Sequence, residues 1–155
     1  MTIAEVLQAA RDQGVTIATA ESCTGGLLAA ALTDIAGSSD VFDRGFVTYS
    51  NAAKIEMLGV NPATLAEYGA VSEPTAIEMA QGALTHSTAR LTLAITGIAG
   101  PGGSDHKPEG HVCFAVAQTG HPTRSETIDF GPLGRAKVRT AARDHALELL
   151  LKALT

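Results

Sequence analysis

The chain has 155 residues, 45 % hydrophobic and 17 % charged, which suffices for one domain with a full core but not for two, so residues 1–155 read as a single domain. A net charge of −5 without a basic cluster excludes a nucleic-acid-binding role. No apolar run approaches the roughly 20 residues of a membrane span, the N-terminus lacks signal-peptide character, and Cys23 and Cys113, in no metal or redox spacing, suit a reducing cytoplasm.

Ile3, Val6, Leu7 and Ala10 recur at helical spacing, predicting a helix over about 3–13 that Gly14 ends. A strand is expected over about 15–20 and a helix over about 24–35, the latter with Leu27, Leu28, Ala31 and Ile35 on one face. Phe42 to Tyr49 reads as a second strand, with Asn51 placed to cap a short helix through Met57. Ser72 is the expected N-cap of a helix that has Pro74 in its first turn and turns Ile77, Ala80, Ala83 and Leu84 inward. Leu91–Ile95 and His111–Ala117 have the composition of buried strands. A further strand over about 124–130 and a long helix over about 135–153 complete the chain. Strands and helices alternate early, then strands follow one another directly. That order predicts an α/β fold, a three-layer αβα domain with a mixed sheet.

Three segments carry candidate chemistry. In Ala20-Glu21-Ser22-Cys23-Thr24-Gly25-Gly26, two hydroxyls and a thiol sit where a strand turns into a helix. The two glycines let a ligand approach the backbone amides of the first turn. This is not a Gly-x-Ser-x-Gly elbow, and no Ser-His-Asp arrangement accompanies it, so a serine nucleophile needs another base. Tyr49-Ser50-Asn51-Ala52-Ala53-Lys54 supplies one: Tyr49 closes a strand, and Lys54 lies about one turn into the next helix. Both then face the crevice beyond the strand ends, where open α/β sheets bind ligands. A lysine acts as a base once burial lowers its pKa.

The third segment, Thr96-Gly97-Ile98-Ala99-Gly100-Pro101-Gly102-Gly103, follows a buried strand to the same edge. Successive amides in such a loop form a concavity for phosphate or an oxyanion. It matches neither Walker A nor Gly-x-Gly-x-x-Gly, which removes a nucleoside-triphosphatase or dinucleotide-fold reading. Asp105, His106, Glu109 and His111 form no metal-ligand motif, and His145 reads as a packed or surface residue. Arg135 and Arg139 open the last helix on adjacent turns, and either can reach a phosphate.

These segments in this order, with Gly69-Ala70-Val71-Ser72 and Lys107-Pro108-x-Gly110 between and after them, resemble the C-terminal domain of the CinA proteins, the PncC family of nicotinamide mononucleotide deamidases. The resemblance spans essentially the whole chain. It implies hydrolysis of the carboxamide of nicotinamide mononucleotide to nicotinic acid mononucleotide and ammonia in pyridine-nucleotide recycling. It also implies a mixed-sheet α/β fold, homo-oligomers and no cofactor or metal. Carried over by motif, Ser22 is the nucleophile, with Lys54 and Tyr49 handling its proton. Thr24, Gly25, Gly26, Ser50, Asn51, Thr96, Gly97, Ala99, Gly100, Gly102, Gly103, Arg135 and Arg139 are the expected substrate-binding residues, the glycine amides holding the oxyanion and phosphate. Between Gly103 and Lys107 the chain has only Ser104-Asp105-His106, shorter than the family pattern, which bears on the pocket rim. It also begins at Met1 without the N-terminal domain of longer CinA proteins, the expected stand-alone form. The alternative reading is a nucleotide-binding module without catalysis that acts through a partner. Such a binder has no need of the serine, lysine and tyrosine together.

Overall fold

A computed structural model describes residues 3–155; Met1 and Thr2, where the expected domain begins, lie outside the described residues. Five strands form one mixed sheet in the order β2-β1-β3-β4-β5. They are β1 (Ile17–Glu21), β2 (Phe42–Val47), β3 (Leu91–Gly97), β4 (His111–Gln118) and β5 (Arg124–Asp129). β1 runs parallel to both β2 and β3, whereas β4 pairs antiparallel with β3 and β5. Helices α1 (Ile3–Gln13), α2 (Leu27–Thr33) and α6 (Arg135–Leu154) cover one face; α3 (Asn51–Leu58), α4 (Pro62–Tyr68) and α5 (Glu73–Thr85) cover the other. The expected three-layer αβα arrangement with a mixed sheet is the one observed.

Side-chain size differs between the two faces. Alternation along β3 and β4 sends Leu91, Leu93, Ile95, Val112, Phe114 and Val116 toward α1, α2 and α6. The opposite face presents Ala94, Cys113, Ala115 and Ala117 to α5, which answers with Ala76, Met79, Ala80 and Ala83. Small residues on both sides let α5 lie close to the sheet. The Thr92 hydroxyl even donates to the Ala80 carbonyl at 2.7 Å. Of the residues expected to turn inward on α5, Ala80 and Ala83 are fully buried and Ile77 and Leu84 pack at the margin.

Several boundaries differ from expectation for identifiable reasons. β1 begins at Ile17 and reaches Glu21, because parallel neighbours on both sides pair it over those residues. α2 begins only at Leu27, since Gly25 (φ 55°) and Gly26 (φ 107°) adopt left-handed backbone that a helix cannot include. α3 is capped by Ser50, whose Oγ accepts from the Ala53 N–H at 3.0 Å, while Asn51 is its first residue. Ser72 caps α5 as expected, through the Thr75 N–H. α4 was legible as Asn61-Pro62, an N-cap followed by an N1 proline, but its lack of any buried residue hid it from a hydrophobic-period reading.

The connection from β1 to β2 runs on the α2 side, and that from β2 to β3 on the α5 side. Such divergence opens a crevice beyond the carboxyl ends of the parallel strands. α3, which borders it, is seated on α5 at Gly82, where an added Cβ would lie 2.0 Å from the Leu58 carbonyl oxygen. Gly→Ala inside a helix ordinarily gains up to about 1 kcal/mol. Here a backbone oxygen blocks the methyl, and overpacking of about 1–3 kcal/mol outweighs the propensity gain. Gly82→Ala is therefore expected to lower thermal stability, measured by calorimetry.

Candidate active site

β1 ends at Glu21, and the chain turns at once through Ser22. Ser22 is 8 % exposed, its amide donating to the Ile95 carbonyl of β3. The turn is held by Glu21, 1 % exposed, whose two carboxylate oxygens accept the Leu28 and Ala29 amides at 3.0 Å each. A side chain from the strand thus caps α2, compensating for the capless Gly26. Sequence reasoning missed this role; the available signal was an acidic residue in an otherwise apolar strand, which burial obliges to find donors.

Lys54, on the first turn of α3, is 1 % exposed. Its Nζ lies 2.9 Å from Ser22 Oγ, 2.9 Å from the Thr48 carbonyl oxygen and 3.1 Å from that of Tyr49. All three partners are neutral oxygens, and no carboxylate pairs with the lysine among the described residues. Burial therefore pulls its pKa from 10.5 down to about 8. Cys23, the residue after Ser22, has its thiol pushed up to about 11, with burial the largest cause. The Ser22 hydroxyl, not the Cys23 thiol, is the side-chain partner of Lys54.

A cavity of about 260 Å³ opens over this pair. Ser22, Lys54, Tyr49, Thr96, Gly97, Ala99 and Arg135 line it, as expected, together with Cys23, Ala70 and Val71. Tyr49 contributes in two ways: its carbonyl holds Lys54, while its ring, 62 % exposed, accepts an Arg135 Nη2 hydrogen bond at the hydroxyl, 3.2 Å away. Thr96 donates to the Ala70 carbonyl at 2.7 Å, fixing the segment before α5 as one wall.

The other expected binding residues do not line this cavity. The Gly25 amide donates to the Ser22 carbonyl and the Gly102 amide to Glu109, so neither is left for an anion. Thr24 is fully buried and Gly26 is the residue before α2; Ser50 and Asn51 serve the start of α3, and Gly103 packs against the Lys107 carbonyl. The two arginines separate cleanly. Arg139 donates to the Cys23 and Thr24 carbonyls at 3.0 and 3.1 Å, bracing the turn that carries Ser22, while Arg135 reaches the cavity and donates to the Gly100 carbonyl at 2.6 Å. His111 pairs with Asp129 and His145 packs on Phe114, both away from this cavity.

Comparison with known proteins decides the family. The model of the CinA C-terminal domain matches residues 2–154. The chain belongs to the CinA C-terminal domain family. Among its relatives, the nicotinamide-nucleotide amidohydrolase PncC of Shigella flexneri is 51 % identical over 150 residues, covering 94 % of this chain and 88 % of the relative. The protein of the same name from Escherichia coli K12 is 52 % identical over 149 residues, with the same coverage. The crystal structure of the competence damage-inducible protein A (ComA) from Klebsiella pneumoniae superposes with a TM-score of 0.93 at 40 % identity, covering 98 % of this chain and 94 % of that one. The CinA fold thus accounts for every layer described above.

The burial of Lys54 has a consequence for stability. The unfolded chain holds this proton up to about pH 10.5 and the folded chain only to about 8, so between them the unfolded state binds more protons. Folding stability is expected to rise with pH across that window. Denaturant titrations at several pH values should give a positive slope that Lys54→Met removes.

Proposed function

We propose that this chain hydrolyses the carboxamide of nicotinamide mononucleotide, releasing ammonia and nicotinic acid mononucleotide, with Ser22 as nucleophile and Lys54 as its base. The observation that carries the assignment of roles is the 2.9 Å contact between Ser22 Oγ and a buried lysine that pairs with no carboxylate among the described residues. A neutral lysine has two N–H bonds and one lone pair. Donating to the Thr48 and Tyr49 carbonyls directs that lone pair at the Ser22 hydroxyl. As Ser22 Oγ bonds to the carboxamide carbon, its proton passes to Nζ and the carbonyl π pair moves to oxygen. The resulting ammonium then donates to the same three oxygens, so no group has to reorient.

Collapse of the tetrahedral adduct breaks the C–N bond, the lysine proton leaving with ammonia. Water, deprotonated by the regenerated Lys54, then cleaves the acyl-serine. The Cys23 amide, adjacent to the nucleophile, is the candidate donor to the oxyanion, in place of the occupied Gly25 and Gly102 amides; one such donor contributes roughly 3 kcal/mol. Tyr49 serves the substrate end of the pocket through its ring and its bond to Arg135, and Arg135 anchors the 5′-phosphate. The relatives named PncC support the substrate class. The same reading takes residues 1–155 as one domain, self-associating and cytoplasmic, in keeping with two free, buried cysteines.

Ammonia release from nicotinamide mononucleotide by the purified protein tests the activity. Ser22→Ala is expected to abolish turnover by several orders of magnitude and Cys23→Ala to keep most of it; the opposite pattern would transfer the nucleophile to the thiol. The kcat/KM profile is expected to rise with pH through a limb near 8, where Lys54 becomes neutral. Lys54→Arg, whose guanidinium stays protonated, is expected to be inactive, and near-normal turnover would remove the base role.

Arg135→Ala is expected to raise KM roughly ten- to a hundredfold, the value of about 1.5–3 kcal/mol for a hydrogen bond to a charged group. Arg139→Ala is expected instead to lower melting temperature and kcat together. A selective KM effect at Arg139 would reverse the two assignments.

A further inference from the structure

One carboxylate bridges the glycine loop to the helix that bears Arg135. Glu109 Oε1 accepts the Gly102 N–H at 2.7 Å, and its Oε2 accepts the Gly134 N–H at 2.8 Å. Gly102 lies in the loop after β3, and Gly134 directly precedes Arg135. The loop is pressed onto this carboxylate: at Gly100, φ 92°, an added Cβ would stand 2.5 Å from Glu109 Oε1. The next residue, Gly110, approaches the Gly131 backbone closely, where an added Cβ would lie 2.2 Å from the carbonyl oxygen. Loop, Glu109 and the start of α6 are therefore bonded into one unit.

Arg135 is held by the same unit, through the Gly100 carbonyl and the Tyr49 hydroxyl, and makes no ion pair among the described residues. Glu109 is close in the network, yet both its oxygens engage backbone amides rather than the guanidinium. The arginine is thus oriented by neutral oxygens and keeps its whole charge. An anchor ordered in advance loses less rotamer entropy when an anion arrives.

We propose that Glu109 is a positioning residue for phosphate recognition: it fixes Gly134 against the glycine loop, so that Arg135 stands oriented and unneutralised at the cavity. This rests on the reading of Arg135 as the phosphate anchor. Glu109 touches no substrate itself and acts through Arg135. Its loss weakens ligands that carry the 5′-phosphate and spares those that do not.

The test uses two competitors that differ only by that group, nicotinic acid mononucleotide and nicotinic acid riboside, against turnover of nicotinamide mononucleotide. In Glu109→Ala the inhibition constant of the mononucleotide is expected to rise about tenfold, equivalent to about 1.4 kcal/mol. That of the riboside is expected to stay within about twofold. Glu109→Gln, which keeps one acceptor oxygen, is expected to fall between and carries the test if the alanine variant does not fold. On an Arg135→Ala background, Glu109→Ala is expected to add almost nothing, because the two share one path. A general loss of structure would instead weaken both competitors and add to the Arg135 effect, overturning the assignment. Equal inhibition of the unaltered protein by the two competitors would overturn the phosphate reading beneath it. A preference for the mononucleotide that survives undiminished in both Glu109 variants would overturn the role of Glu109 alone.

Discussion

The site depends on a lysine buried among neutral oxygens. An ammonium taken out of water ordinarily requires a carboxylate, and Lys54 is given a serine hydroxyl and two peptide carbonyls instead. Three acceptors suit the charged form, and two acceptors with one donor suit the neutral form. The arrangement serves both because a hydroxyl reverses its role by rotating its proton. Desolvation then decides which form prevails, bringing the pKa to about 8. A carboxylate in place of any of these oxygens would stabilise the ammonium and raise the pKa of Lys54.

The fold supplies such a place through ordinary packing rules. Three parallel strands end together, and connections leaving on opposite faces keep helices from filling the space beyond them. The serine comes from the end of the central strand β1, and the lysine from the helix that follows its edge neighbour β2. Thr48, which follows β2, is tied to Glu21 of β1 by a backbone hydrogen bond at 2.9 Å, so the two partners share one rigid base. The small-residue face of the sheet lets α5 sit close, and α5 in turn carries α3 at Gly82. The lysine's position is thus set by alanines and a glycine far from any chemistry.

Much of this was legible in the sequence, because strand and helix periodicity reflects burial and the sheet buries both faces. β4 and α6 were read nearly to the residue, and the N-cap of α5 to the residue. Less accessible was any feature that depends on a contact across the chain. Ser22 and Lys54 could be nominated as hydroxyl and base on one crevice, but not their distance. The glycine amides were read as open donors because glycine density reports backbone freedom and not occupancy. Folding placed Glu109 on the Gly102 amide, and the Ser22 carbonyl on that of Gly25. The arginines, adjacent on one helix face, look equivalent in sequence. One turn of helix separates a guanidinium braced on the carbonyls of Cys23 and Thr24 from one that reaches the cavity.

What unites these details is where the acidic groups are directed. Glu21 directly precedes Ser22 and Glu109 lies against the glycine loop, and neither forms an ion pair among the described residues. Each is turned onto a pair of backbone amides instead. Amides satisfy a carboxylate as well as a cation does, and they are fixed in space. The consequences for the two basic side chains differ by chemistry. Lys54, buried, has its pKa lowered to about 8, whereas Arg135 is exposed; neither makes an ion pair with a carboxylate among the described residues. One device, carboxylates bonded to the backbone, thus leaves Lys54 at one end of the cavity and Arg135 at the other, neither in an ion pair among the described residues. That polarity matches a substrate with a neutral carboxamide at one end and a phosphate at the other, even in a chain of net charge −5.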